Sequence, residues 1–356
     1  MPAAHQVLQP RGNPSLLSLV IPLFNESEMV PILRARLERF LSELPCPAEV
    51  ILVNDGSVDE TLDLLMEWAS LDARVKVIAL ARNFGHQAAA TAGLDFAAGD
   101  AVILMDADLQ DPLDVIPEML LRYRQGYDVV YGQRSSRARE SVFKRFTAWA
   151  FYRIMRTWVH PNLPVDCGDF RLISRRCLDV LRSMREQHRF LRGMVAWIGF
   201  SQIAVRYDRP SRAAGATKYT LKKMTRLAWD AMISFSTLPL RSILYVGVVI
   251  AFLGLAWGAY SVASYLIFGD NIRGWTSLMS VLCVIGGIIL VSNAIIGSYV
   301  GQIYEEIKQR PLYIVSSAVN FAPAAAPLKG ADTAAPATRA GLPPSIPMMP
   351  RRVDAA

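Results

Sequence analysis

The chain has 356 residues, 52% of them hydrophobic, and a formal net charge of +7. That length allows two domains of ordinary size, while a mean hydropathy of +0.25 is high for a purely soluble protein. The cysteines (Cys46, Cys167, Cys177 and Cys283) have no metal-ligand spacing and no disulfide framework, so they read as reduced thiols. The positive balance suits phosphates or anionic headgroups, whereas no zinc-finger spacing or aromatic-basic motif supports nucleic acid.

Residues 1–14 lack an apolar run and read as a disordered, frayed tail rather than a signal peptide. Residues 18–23 predict a first buried strand, ending at Phe24-Asn25-Glu26-Ser27-Glu28. A helix should follow to about Glu43, with Ser27 as its N-cap. Residues 49–54 predict a second strand, a turn allowed by Gly56, and a helix over 60–70 capped by Ser57 or Asp59. Residues 75–80 predict a third strand, then Arg82-Asn83-Phe84-Gly85 and an alanine-rich helix from about His86 to Ala97.

The fourth strand carries the chemistry. Its apolar run Val102-Ile103-Leu104-Met105 meets Asp106-Ala107-Asp108-Leu109-Gln110-Asp111-Pro112. Two carboxylates one residue apart can aim hard oxygens at one divalent cation, Mg²⁺ or Mn²⁺, which shares its shell with phosphates and water. Alone, the same residues also read as an acidic turn after a strand. A helix over 114–125 and a fifth strand over 128–132 follow. Strands alternating with helices of this length predict an α/β fold with a doubly wound, mostly parallel sheet. Ligands bind such sheets at the carboxyl ends of the strands. No Gly-X-Gly-X-X-Gly turn or Walker loop is present, which weighs against a dehydrogenase or P-loop kinase.

Over residues 141–158, Phe143, Phe146, Ala150, Ile154 and Trp158 share a helical face opposite Lys144, Arg145, Arg153 and Arg156. This segment reads either as a helix in a membrane interface or as an amphipathic helix packed on the sheet. Asp166-Cys167-Gly168-Asp169-Phe170-Arg171-Leu172 reads as a polar cluster before another helix. A cationic run from Arg206 to Arg226, containing Gly215-Ala216-Thr217-Lys218-Tyr219, precedes the most apolar part of the chain. A phosphate-bearing lipid is a natural counter-ion there. Residues 242–268 and 274–304 hold no charge, and each exceeds the ~20 residues that span a bilayer. They predict a transmembrane hairpin with spans at about 242–268 and 276–302. The cations beside its two ends place both termini in the cytoplasm. His86, His160 and His188 lack a nucleophile partner or metal spacing and read as solvated or core histidines.

The predicted organisation is therefore a tail (1–14), a cytosolic catalytic domain (15–239) with juxtamembrane helices at about 141–160 and 220–236, a hairpin (240–305), and a C-terminal segment (306–356). The last is Ala/Pro-rich and expected to be disordered after about 316.

A parallel sheet, acids at its carboxyl edge, a cationic strip and a membrane hairpin together fit transfer from a nucleotide sugar to a membrane-bound acceptor. Asp106 and Asp108, with Gln110, would hold the metal on the donor diphosphate, and Asp55 and Glu26 would meet the base or ribose. From about residue 18 to 315 the chain resembles the polyprenyl-phosphate glycosyltransferases of glycosyltransferase family 2. These include bacterial undecaprenyl-phosphate glucosyl and aminoarabinosyl transferases and, in the catalytic domain, dolichol-phosphate-mannose synthase. The matching stretches are Ile21 to Glu26, Asn54 to Ser57, Arg82 to Gly85, Asp106 to Pro112, Asp166 to Leu172, Gly215 to Tyr219 and Tyr299 to Glu306.

The resemblance implies a GT-A-type fold, Mg²⁺ or Mn²⁺, inverting transfer of one sugar, and a homo-oligomer, with a tetramer as one candidate. It implies polyprenyl phosphate as acceptor, a donor linked to UDP in preference to GDP, such as UDP-glucose, and the bacterial cytoplasmic membrane as location. By motif position it implies donor contacts from Pro22, Phe24, Glu26, Val53, Asp55, Ala107 and Arg134. It implies a metal and diphosphate group of Asp106, Asp108 and Gln110, and phosphate contacts from Arg212 and Lys218. Asp169 joins Asp106 and Asp108 as a catalytic candidate; a helix cap is the alternative for it. Phe24 stands where relatives often carry tyrosine. A processive polysaccharide synthase shares the acidic motif, but its Gln-X-X-Arg-Trp motif and further spans are missing. A non-catalytic nucleotide-sugar-binding scaffold would leave the acidic and basic motifs without a role.

Overall fold

The computed structural model describes residues 8–134, 167–208, 238–268 and 274–321. The first half follows the expected alternation: β1 (Leu17–Leu23), α1 (Met29–Glu43), β2 (Ala48–Asn54), α2 (Thr61–Leu71), β3 (Val75–Leu80), α3 (His86–Phe96) and β4 (Ala101–Leu104). A 3-10 turn (Leu113–Val115), α4 (Ile116–Arg124) and β5 (Val129–Arg134) come next. The second half adds β6 (Cys167–Ser174), α5 (Arg175–Ser183), α6 (Leu191–Ile198), β7 (Gln202–Tyr207), α7 (Leu238–Phe268), α8 (Trp275–Ile307) and β8 (Val315–Val319).

The strands form one sheet in the order β7-β5-β6-β4-β1-β2-β3-β8. Side chains alternate across it, as the two-residue strand period requires. Leu19 and Ile21 of β1 and Val50 and Leu52 of β2 pack with Leu33 and Leu37 of α1, Trp68 of α2 and Met119 of α4. On the other face Val20, Ile51, Val53 and Ile78 pack with the small residues of α3 and with Leu178, Leu181, Met194 and Val195 of α5 and α6. Each such fully buried aliphatic side chain contributes about 1.5–3 kcal/mol. Gly93 lets α3 lie almost on the sheet, since a Cβ there would come 2.3 Å from Val20 Cγ1.

The sheet is mixed, with four of its seven strand pairings parallel. β1–β2, β1–β4, β2–β3 and β5–β7 are parallel, whereas β6 runs antiparallel to β4 and β5, and β8 antiparallel to β3. The polar cluster expected before a helix is itself strand β6, buried along its whole length. Its Asp169 and Arg171 are paired at 3.8 Å on this interior strand between β4 and β5, a burial that their polarity concealed in the sequence.

Residues 316–321, at the start of the segment expected to be disordered after about 316, are ordered. β8 adds an eighth strand, and Asn320 Nδ2 donates to Ala69 O at 2.7 Å and Val75 O at 2.8 Å. Phe321 meets Phe96 edge-on at 5.0 Å. At the other end, Arg11 donates to Gly126 O at 2.8 Å and stacks over Tyr123, so the segment expected to fray is anchored there. Ser27 does not cap α1: Glu28 holds the N-cap position without a side-chain bond, and Ser27 N donates to Asp59 Oδ2. Asp59 Oδ1 takes the Thr61 N–H at the start of α2.

α7 and α8 occupy the expected span positions. Within the described residues one segment, Val284–Ile307, is long and apolar enough by length and composition to cross a membrane; in α7 a shorter apolar stretch, Tyr245–Gly254, is found. Large apolar side chains on both helices face outward, including Phe252, Trp257 and Leu290. α8 is fastened to the sheet domain at its end, where Gln187 N donates to Glu306 Oε2 at 2.9 Å and Gln187 Nε2 to Arg310 O at 2.6 Å. The helices expected at 141–160 and 220–236, the connector 269–273 and the tail beyond 321 lie outside the described residues.

Candidate active site

The strand order reverses at β1, with β2 on one side and β4 on the other. Open α/β sheets form their ligand crevice at such a switch point, outside the carboxyl ends of the strands. The β1–β4 ladder stops at Val20 and Leu104, whereas β1 continues beside β2 to Leu23. Met105 N makes the last bond, to Val20 O at 3.1 Å. Pro22, which has no N–H to give, sits where β4 no longer needs one. The chain after β4 then turns away, and this divergence opens the cleft.

Its walls are loops tied to one another. Asn25 N donates to Ser57 Oγ at 2.9 Å, Val58 N to Asn25 Oδ1 at 2.9 Å, and Glu26 N to Thr61 Oγ1 at 2.9 Å. Asp55 is 2% exposed. Its Oδ1 accepts from Phe84 N at 2.8 Å, and its Oδ2 from Gly85 N at 2.9 Å and Asn83 Nδ2 at 3.1 Å. Burial raises its proton affinity and the Phe84 and Gly85 amides oppose that. Asp55 therefore shapes the loop that leads into α3. Gly56 completes the join: its φ is +65°, and a Cβ there would lie 2.4 Å from the Arg82 carbonyl carbon.

The acidic turn is compact. Asp108 Oδ1 accepts from Gln110 N at 3.1 Å, and Leu109 takes a left-handed φ of 55°. Asp111 braces the turn from below, accepting from Tyr207 OH at 2.9 Å and Asp106 N at 3.3 Å. Burial and the nearby Asp106 charge push the Asp111 carboxyl up to about 6. The antiparallel register that pairs Leu104 with Arg171 carries Asp169 to the level of Asp106. The structure thus brings Asp169 to Asp106 and Asp108, from which it lies more than 60 residues away in sequence.

Between them stands His86, the first residue of α3. Its Nε2 is 3.2 Å from Asp169 Oδ2 and 3.7 Å from Asp106 Oδ1. It is neither a solvated nor a core histidine, because α3 starts at the cleft rim and points its first side chain at the two acids. Burial opposes its charge, but the Asp169 hydrogen bond and the Asp106 and Asp169 charges outweigh it and raise the imidazole to about 9. In metal-free protein this adds stability that is fully present below its ordinary 6.5 and lost as pH rises through about 9. His86→Gln should flatten that stretch of the stability–pH curve in thermal melting. An unchanged alkaline fall in the variant would contradict the assignment.

Arg192, the second residue of α6, also belongs here, with Nε 2.7 Å from Asp169 Oδ1. Burial works against the Asp169 charge, yet Arg192 and His86 hold its carboxyl well below the usual range. Burial, offset in part by His86, raises Asp106. Neither His86 nor Arg192 was assigned a role from sequence. The helix start that follows Arg82-Asn83-Phe84-Gly85 was the available signal for His86; nothing local marked Arg192.

Other sequence candidates divide as follows. Phe24 is exposed at the end of β1, and Glu26 is half-buried beside it. Val53 lies wholly in the core under α3, so only its backbone is near the strand ends. Ala107 is buried within the acidic turn. Arg134, at the end of β5, lies near Tyr207 behind Asp111. Arg212 and Lys218 lie outside the described residues.

Among the described residues no three His, Cys, Asp or Glu side chains are grouped as a complete metal site. Asp106 and Asp108 still fit a divalent cation as a hard-oxygen pair that leaves most positions to phosphate and water, which is how Mg²⁺ is usually held.

Comparison with known proteins gives a concordant result. A family model described as Glycosyl transferase family 2 matches residues 18–182. The chain is 42% identical over 298 residues to the uncharacterized glycosyltransferase YkcC of Bacillus subtilis (strain 168), covering 84% of this chain and 92% of that protein. It is 38% identical over 299 residues to the SfII prophage-derived bactoprenol glucosyl transferase of Shigella flexneri, covering 84% and 97%. Among solved structures, it is similar to glucosyl-3-phosphoglycerate synthase from Mycobacterium tuberculosis in complex with Mn²⁺, UDP and phosphoglyceric acid. That match has 14% identity and a TM-score of 0.42, over 62% of this chain and 76% of the other.

Proposed function

The chain belongs to glycosyltransferase family 2, and from that premise we propose that it moves one sugar from a nucleotide sugar to polyprenyl phosphate at the cytoplasmic face of a bacterial membrane. The observation that carries this reading is the acidic cleft at the β1–β4 divergence, in a chain 38% identical to a bactoprenol glucosyl transferase. The donor is UDP-linked, with UDP-glucose the first candidate. Phe24, Glu26 and the backbone around Asp55 lie along the nucleotide, and Arg134 stands behind the turn.

Asp106 and Asp108, with Gln110, would hold Mg²⁺ or Mn²⁺, which when bound stabilises negative charge on the departing nucleotide diphosphate. A phosphate monoester carries roughly −1.5 to −2 charge near neutral pH, so the acceptor needs no base to become a nucleophile. Its oxygen forms the new bond to the anomeric carbon as the bond to the nucleotide diphosphate breaks, and in-line geometry inverts that centre. The protein's own task is to orient the two substrates and exclude water. Arg212 and Lys218 lie on the cationic run expected to meet the lipid phosphate. α7 and α8 anchor the catalytic domain as two spans with both ends cytoplasmic, and the chain works as a homo-oligomer.

The test is a panel of labelled nucleotide sugars incubated with purified full-length protein, undecaprenyl phosphate and Mn²⁺ or Mg²⁺. A single donor should yield a lipid carrying one sugar, with nucleotide diphosphate released and both products lost on chelation. Products carrying several sugars would instead indicate a processive synthase. Nucleotide release without labelled lipid would refute the acceptor.

A further inference from the structure

Asp169 looks by position like a group that could take a proton from a substrate, yet its surroundings argue otherwise. Its side chain is 6% exposed. Oδ1 accepts from Arg192 Nε at 2.7 Å. Oδ2 faces His86 Nε2 at 3.2 Å and Gln87 Nε2 at 3.4 Å. Arg171 closes the inner side, 3.8 Å from Oδ1, with its own donors on the carbonyls of Gly168 and Asp169. A carboxylate with Arg192 at one oxygen and His86 and Gln87 at the other has little capacity left for a substrate proton.

The partners are placed differently. His86 and Arg192 are 37% and 32% exposed at their side chains, so each reaches the cleft. His86 also comes within 3.7 Å of Asp106. Gln87 Oε1 accepts from Leu191 N at 3.0 Å, fastening the first residue of α6 to α3. One buried carboxylate thus fixes side chains from the starts of two helices at the same wall of the cleft.

We propose that Asp169 is a positioning residue: it sets the His86 imidazole and the Arg192 guanidinium beside Asp106, and these two donors, rather than the carboxylate, contact phosphate oxygens of the reacting substrates. The inference rests on the transfer reading above. Phosphate oxygens are acceptor-only and charged, which matches a planar guanidinium and an imidazole N–H. The oxygens belong either to the acceptor monoester or to the donor diphosphate.

The experiment uses full-length protein in detergent with undecaprenyl phosphate, the donor found by the panel and Mn²⁺. It measures kcat and both KM values for Asp169→Asn, Arg192→Gln, His86→Gln and the Asp169→Asn/Arg192→Gln double variant. Asp169→Asn should lower kcat about 100-fold, the cost of misplaced positioning groups. The double variant should fall no further than the worse single, because the two act as a unit. The acidic limb of the pH–rate profile of Asp169→Asn should stay as in the wild type, because no substrate proton passes to that carboxylate.

Losses that multiply, or an acidic limb that vanishes with Asp169→Asn, would overturn the proposal. In Arg192→Gln, a raised KM for undecaprenyl phosphate assigns the acceptor phosphate, and a raised KM for the nucleotide sugar assigns the diphosphate. Unchanged KM values with full kcat would overturn the contact. If Asp169→Asn does not fold, His86→Gln and Arg192→Gln decide, and wild-type turnover in both refutes it. A wild-type chain that transfers from no donor refutes the function reading instead. The same cycle is then read from UDP affinity in the presence of Mn²⁺, where additive losses overturn the positioning role.

Discussion

Asp108→Ala should lower kcat/KM for sugar transfer by a factor on the order of 10³, the scale of losing one preorganised electrostatic group from a dry site. Asp108 is 6% exposed and lies in a tight turn beside the more open Asp106. Removing it takes away one of two hard oxygens and a full negative charge from the proposed cation position. Asp108→Asn separates chemistry from folding, because its amide oxygen can still accept from Gln110 N, as Asp108 Oδ1 does at 3.1 Å. The turn also keeps Asp111, Tyr207 and the Asp106 amide. The asparagine variant should therefore melt like the wild type, lose transfer almost as fully as the alanine variant, and bind UDP with little response to added Mn²⁺. Transfer at the wild-type rate by a folded Asp108→Asn enzyme would remove the metal-ligand role.

Asp128→Asn should cost about 3 kcal/mol of stability, the lower end of what breaking a buried ion pair costs, because Arg176 can still turn to solvent. Asp128 has no exposed side-chain surface. It accepts from Arg176 Nε at 2.6 Å, Ser174 Oγ and Ser201 Oγ at 2.9 Å, and Arg11 Nη2 at 3.2 Å. One carboxylate thus ties the N-terminal segment, β6, α5 and the entry to β7 to the start of β5. Burial opposes its charge, but Arg176, the two serines and Arg11 win and lower it to about 2 from its ordinary 3.8. The folded state holds the ionised form more tightly, so this stabilisation is fully present above the ordinary value and disappears as pH falls through about 2. Chemical denaturation of the full-length protein in detergent should show a lower midpoint for Asp128→Asn at neutral pH and a smaller acid dependence below pH ~4. Equal acid sensitivity in variant and wild type would exclude Asp128 as its source.

The alternation of buried strands with helices, the acidic turn at the end of β4, the Gly56 turn and the two charge-free stretches are local properties of the chain. The sequence alone determined them, because side-chain period, backbone freedom and run length act over a few residues. The same local reasoning did not recognise Cys167–Ser174 or Val315–Val319 as strands. Glycine, aspartate and arginine in the first, and an Ala/Pro-rich continuation after the second, are poor strand signals. Only pairing with β4 and β3 made these segments strands.

The cluster of the candidate site depended still more on tertiary structure. Asp106 and Asp169 are adjacent because an antiparallel strand returns beside β4. His86 and Arg192 join them because α3 and α6 both begin at that edge. The charge that each side chain carries there is set by groups on other elements of the fold, His86 and Asp169 lying 83 residues apart, through burial and Coulomb interactions that no local pattern encodes.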